Sequence, residues 1–301
     1  MPRDFDALVT VAFFAVIATC ACLIPVQNDT WWHLRAGEEM WRQGAVMLAD
    51  RFSFTAYGAR WPNHEWLSEV VFYAVYSVGG LPLLTMCTAV ALTGAVALSW
   101  KLMAGAPLVR VLLLTVALSS IAPVWTVRPH VFSLVLLPLL LHLVLRGSYW
   151  LMPPLFALWA NLHGGVAMGL VVLGGVALSD GWLFGWKTMW ARAGLAGACF
   201  AATLFTPLGY DLWTTIPESI HKSTMNGIFE WRPPTFWGWK DLAFWAVAAV
   251  LALAIVVRWR IVLSRDPVAR IRTVLLTVAV LLLPLAFRYS RNTAPFLLVA
   301  V

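Results

Sequence analysis

The side chains able to do chemistry gather in a few short stretches between long apolar runs. The richest is Asn28-Asp29-Thr30-Trp31-Trp32-His33-Leu34-Arg35, directly after the first such run. A carboxylate at Asp29 can bind a divalent cation or take a proton from a substrate hydroxyl. Asp29 or Thr30 can equally cap a helix running to about Gln43. Trp31 and Trp32 suit a membrane interface, or stacking on a sugar ring. His33, next along, is a candidate substrate contact.

Five other stretches carry polar or charged groups of interest. Trp61-Pro62-Asn63-His64-Glu65-Trp66 offers a base or a ligand pair, although adjacent helical residues diverge by about 100°, so one alone would face a site. In Val127-Arg128-Pro129-His130, Arg128 can pair with a phosphate or snorkel to the headgroups, and His130 stands beside it. Asn161-Leu162-His163-Gly164-Gly165 puts polar groups between two apolar stretches. Such groups face a cavity or bond helices together, and the glycines allow close backbone approach. Arg288-Tyr289-Ser290-Arg291-Asn292 sets two arginines where they could hold a phosphate or pyrophosphate, or merely flank a span. Glu230-Trp231-Arg232-Pro233-Pro234, in a segment rich in Trp, reads as a lid or an interfacial re-entry.

The elements that must position these groups are membrane helices. Of the 301 residues, 61% are hydrophobic and 12% charged, which leaves too little polar surface for a soluble enzyme. The net charge of +7 is thinly scattered, which argues against nucleic acid. Cys20, Cys22, Cys87 and Cys199 lie in apolar runs without metal or disulfide spacing. Charge-free runs predict spans at 7–28, 70–100, 111–127, 129–145, 147–179, 193–210, 242–257 and 273–287, with the start of another at 292–301. Gly79-Gly80-Leu81-Pro82 breaks the second run. Before it, Leu67, Val70, Val71, Ala74 and Val75 form an apolar stripe, with Glu65, Ser68, Glu69 and Tyr76 opposite, as in a helix lying in the interface. Run 147–179 divides at Asn161–Gly165 into two short spans. The expected fold is therefore all-α: a polytopic helical bundle of about nine or ten spans, one domain over 1–301 and incomplete at its C-terminus. A long outer loop at 27–80 carries juxtamembrane helices, and a second outer loop covers 207–241.

Lys and Arg in short loops orient this bundle with the N-terminus in the cytoplasm. The loop 258–272, with five Arg, is the clearest signal. His33, His64, His130, His163 and His221 then share the outer face, so a site there opens outward.

This order of elements resembles the GT-C class of membrane glycosyltransferases, which includes oligosaccharyltransferases, protein O-mannosyltransferases and aminoarabinose transferases. Closer still is a group of bacterial multi-spanning proteins of uncharacterised activity. The likeness rests on Asn28–Leu34 with Gly37, Asp50 with Phe52-Ser53-Phe54-Thr55, His64–Glu69, Arg128-Pro129-His130, Trp159–Gly165 and Arg288–Asn292. It implies an integral protein of the bacterial inner membrane that moves a sugar from a polyprenyl-phosphate donor to a glycan, lipid or protein acceptor outside. Asp29 takes the place of the acid in the first outer loop, as base or as ligand to Mg or Mn. His64, Glu65 and His163 assist. Trp32, His33, Arg128, His130, Asn161, Arg288 and Arg291 are the substrate contacts. The chain departs from the class in lacking paired acids, with Asn28-Asp29 in one place and Arg128-Pro129-His130 in the other. Two other readings stay open. Asn161 and His163 echo the Asn/His pair of a membrane-bound O-acyltransferase, and a non-catalytic transporter or assembly partner would also fit.

Overall fold

The computed structural model describes residues 3–257 and 269–301, and among these it is all-helical. The helices are α1 (Arg3–Cys22), α2 (Asn28–Gln43), α3 (Trp66–Leu102), α4 (Pro107–Ile121), α5 (His130–Arg146) and α6 (Met152–Leu162). They continue as α7 (Val166–Phe184), α8 (Trp186–Ala202), α9 (Asp211–Met225), α10 (Trp239–Val257), α11 (Arg270–Arg288) and α12 (Thr293–Ala300). An isolated antiparallel bridge pairs Ala49 with Arg60.

Among the described residues, six helices are long and apolar enough to cross a membrane: α1, α3, α4, α7, α10 and α11. The protein is an integral membrane bundle with fewer full-length spans than nine or ten. A charge-free run is not a helix, and this accounts for the difference. Run 193–210 stops being helical at Thr203, and the first half of run 147–179 is the 11-residue α6. About 20 residues are needed to cross the hydrocarbon. Helix α5, with 17 residues, is apolar but shorter. Most of the arginine-rich loop 258–272 lies outside the described residues.

The break at Gly79-Gly80 is present. Gly80 has φ +62°, which L side chains rarely adopt, and the chain resumes helix through Pro82. The half of α3 before the break inverts the expected orientation. Ser68, Glu69 and Phe72 are buried, while Val71 and Val78 are exposed. In a soluble protein that face would turn out. Beside lipid, the polar stripe turns in.

The bundle closes around Phe156, Trp159, Phe244 and Phe296, all fully buried. Helix α7 packs between α8 and α11, α2 crosses α3, and α1 leans on α3 and α4. One end of the bundle is fastened by Asp180 near the C-terminus of α7. Its carboxylate lies 2.7 and 3.0 Å from Arg270 and 2.9 Å from Arg192, and it has no solvent exposure. The Tyr149 hydroxyl bonds Arg270, and its ring sits under Arg192. Exposed tryptophans ring both ends: Trp150, Trp182, Trp186 and Trp190 near Asp180, and Trp31, Trp41, Trp237 and Trp239 near the other.

Candidate active site

At the end of the bundle opposite Asp180 lies a cavity of about 780 Å³. Asp29, Trp32, His33, His64, Glu65, Arg128, His130, His163 and Arg291 all line it. Stretches scattered over more than 260 residues thus meet in one place. A smaller cavity of about 360 Å³ adjoins it, and Arg128, His130, His163, Glu230 and Arg291 are common to both.

Helix α2 begins at Asn28, and neither Asp29 nor Thr30 caps it. The Thr30 hydroxyl instead donates to the carbonyl of Val127 at 3.0 Å, which fixes the start of α2 beside Arg128. Asp29 then pairs with the Arg128 guanidinium at 3.0 Å. One turn further on, His33 Nδ1 lies 3.0 Å from Glu69 Oε1, while Asn63 donates to Glu69 Oε2 at 2.7 Å. Gly37 permits this contact, because a Cβ there would overlap the Glu69 carbonyl and Tyr73. Burial pushes the His33 imidazole down to about 4, so it is neutral at ordinary pH. The face of the His33 ring lies 3.7 Å, centroid to centroid, from Trp32.

His64 and Glu65 both line the cavity, contrary to the expectation that only one would. They precede the first turn of α3, so the 100° rule for a helix does not bind them. Glu65 Oε1 stands 3.4 Å from His163 Nε2 and 3.8 Å from His64 Nε2.

His163 ends α6 in an extended conformation that turns its ring into the cavity. The amide of Gly165 donates to Nδ1 at 3.0 Å. An amide cannot reverse that direction, and neither can the Arg291 guanidinium that meets Nε2 at 3.2 Å, so both ring nitrogens face fixed donors. Ser133 completes the support. It accepts from Trp159 Nε1 at 2.7 Å and donates to His163 Nδ1 at 2.7 Å. Burial, and then Arg291 at 3.2 Å from Nε2, hold the imidazole well below its ordinary value. Gly165 is needed for space, since a Cβ would overlap Ser133 Oγ and His163 Nδ1. His163 is accordingly a neutral ring held in one orientation.

Arg128 and Arg291 approach from opposite sides, and Glu230 lies between them. Its carboxylate is 3.3 and 3.5 Å from Arg128 and 2.9 Å from Arg291. Sequence reasoning placed Glu230 in a lid without a partner, and assigned no role to Glu69, Asn63 or Ser133. An inward polar stripe on a juxtamembrane helix is the signal that could have found Glu69.

Two candidates do not reach the cavity. Asn161 is a structural clamp: it accepts from Trp66 Nε1 and donates to the carbonyls of Ala157 and Phe205, each at 2.8 Å. The Asn161–His163 pair of the acyl-transfer reading therefore faces no common site. Arg288 sits over the neighbouring Tyr289 ring and bonds its hydroxyl at 3.2 Å. Asp29 meets a guanidinium where a cation site would need a second acid. Among the described residues no three His, Cys, Asp or Glu side chains converge as metal ligands.

No protein family, curated protein or solved structure matches this chain.

Proposed function

We propose that the protein transfers a sugar from a polyprenyl-phosphate donor to an acceptor hydroxyl. One observation carries this reading: a single large cavity joins a polar wall bearing two arginines to an apolar wall of Met168, Val171, Ile216, Ile220 and Leu285. A phosphate on an isoprenoid tail has that division of polarity. Arginine pairs suit phosphate because their planar forks match its oxygens.

In the reaction the acceptor oxygen attacks the anomeric carbon from the face opposite the phosphate. The bond between that carbon and the phosphate oxygen breaks. Its electron pair passes to the phosphate, where Arg128 and Arg291 oppose the growing charge. The hydroxyl proton passes to Asp29, which the cavity exposes. His163 holds Arg291 at the cavity wall, and Trp32 offers a face to a sugar ring. No step requires a divalent cation. By the same reading the protein sits in the bacterial inner membrane with its N-terminus in the cytoplasm and this cavity outside, and its acceptor is a glycan, a lipid or a protein.

The test is transfer from a lipid-linked sugar by purified protein in nanodiscs. Asp29→Ala is expected to lower the rate by about a hundredfold, the usual weight of a positioned base. An unchanged rate would sink the assignment of Asp29.

A further inference from the structure

The charges around the cavity set a condition that the proposed reaction must meet. Three carboxylates (Asp29, Glu65, Glu230) face two guanidiniums (Arg128, Arg291). The acids outnumber the guanidiniums, and both arginines already hold carboxylates. A phosphate entering this lining as it stands would gain no unpaired cation and would meet three like charges. Either anions do not bind here, or one carboxylate is a removable occupant.

The three acids differ in how firmly they are held. Asp29 sits on α2, whose start is fixed by the Thr30 hydroxyl to the Val127 carbonyl. Glu65 opens α3, and its backbone N–H is held by Asn63 Oδ1 at 3.2 Å. Glu230 sits on a three-residue turn, Phe229–Trp231, between α9 and α10. Its main chain is anchored, since Ser290 Oγ donates to the Glu230 carbonyl at 3.2 Å and the Ser290 amide donates to the Arg232 carbonyl at 2.8 Å. Among the described residues, the Glu230 side chain has the two guanidiniums as its partners, and it is about a quarter exposed. Rotation about its own bonds would release it without moving the turn. Its carboxylate is also the one group that touches both arginines at once, as a bridging phosphate would.

We propose that the space between Arg128 and Arg291 is a phosphate subsite, and that the Glu230 carboxylate occupies it until a phosphate ester displaces it. A phosphate carries more charge and more acceptor oxygens than a carboxylate, so it can take both guanidiniums from Glu230. The ligand chemistry is a phosphate monoester, diester or diphosphate. Its source is either the polyprenyl-phosphate donor, on which the inference rests, or a free anion. In the resting protein Glu230 neutralises two neighbouring cations that would otherwise repel, and it blocks the subsite against weaker anions such as chloride.

The experiment compares wild type with Glu230→Gln in phosphatidylcholine nanodiscs, using farnesyl phosphate and inorganic pyrophosphate as separate probes. Removing the competitor is expected to tighten farnesyl phosphate binding by about tenfold, with Arg128→Ala and Arg291→Ala weakening it. Tightening of pyrophosphate alone keeps the subsite and sinks the lipid-linked donor. Unchanged or weaker binding of both probes by Glu230→Gln overturns the subsite. If sugar transfer from a lipid-linked donor persists in that case, the reading of the reaction survives without the displacement. An electron cryomicroscopy structure of wild type with farnesyl phosphate does not depend on any variant folding. Phosphate oxygens between the two guanidiniums, with Glu230 turned away, are expected. Glu230 still bridging both arginines beside bound ligand overturns the proposal.

Discussion

Two carboxylates in this protein each lie between two arginines, at opposite ends of the bundle. Asp180 joins Arg192 and Arg270, and Glu230 joins Arg128 and Arg291. Asp180 lies 14 residues beyond Val166 on α7, about 21 Å from the cavity end at 1.5 Å per residue. The chemistry of the two triads is the same, and their settings are opposite. Asp180 is carried by a regular helix and has no exposure, with Tyr149 closing both arginines around it. Glu230 is carried by a short turn, is partly exposed and borders two cavities. The ion triad alone therefore does not say whether a cluster is a lock or a site. What distinguishes them is the element that carries the acid and the empty space beside it.

Four measurements would break or sharpen that contrast. The largest effect is expected from Asp180→Ala, which leaves two partly buried arginines without their acid. It should cost about 3 kcal/mol in unfolding measurements on detergent-solubilised protein. A loss under about 1 kcal/mol would erase the distinction.

Acid comes next. The folded-state pKa of His33 is about 4, below its unfolded value of 6.5. Between those values the unfolded imidazole binds more protons than the folded one, so the His33 contribution to stability is lost as pH drops from 6.5 toward 4. The loss should be on the order of 2 kcal/mol, with Glu65, Asp29 and Arg128 acting on the same ring. His33→Asn should flatten that limb of the profile, and an unaltered limb would assign it to another group.

Gly165→Ala should follow, at about 1–2 kcal/mol, because the new methyl crowds Ser133 and His163. Its effect on sugar transfer should exceed its effect on melting temperature, since the crowding displaces the His163 ring that lines the cavity. Equal effects would make His163 a packing residue. Glu230→Ala is expected to be the mildest, within about 1 kcal/mol of wild type, as for other partly exposed ion pairs. A cost matching that of Asp180→Ala would make Glu230 a second lock.

Much of the cavity was legible before the structure. Alternating the chain across a membrane brought Asp29, His64, Arg128, His163 and Arg291 to one face, and they do line one cavity. The extent of α2 and the break at Gly79-Gly80 were legible too, because a polar helix after an apolar run and a Gly-Gly-Leu-Pro string have few other outcomes. The number of spans was not, because helix ends such as that at Thr203 occur inside runs with no charge to mark them. Glu69 was misjudged because a helix lying in the interface is expected to turn its polar stripe toward water. Asn161 looked like a site residue because its motif is polar, whereas its amide is taken up by Trp66, Ala157 and Phe205. Pairings across long separations, such as Glu230 with Arg128, leave no local trace in the chain.

The exposed tryptophans at the two ends make the bundle sensitive to bilayer thickness. Between the belts runs α7, whose 19 residues rise about 28 Å, close to an ordinary hydrocarbon core. Indole rings favour the headgroup boundary. In a much thicker or thinner bilayer both belts cannot sit at that boundary at once, and the bundle must tilt or deform the lipid around it. The cavity end, with Trp31, Trp41, Trp237 and Trp239 at its rim, would shift in depth with that adjustment. The acyl-chain length of the surrounding lipid thus sets how far the arginine pair stands from the headgroup plane.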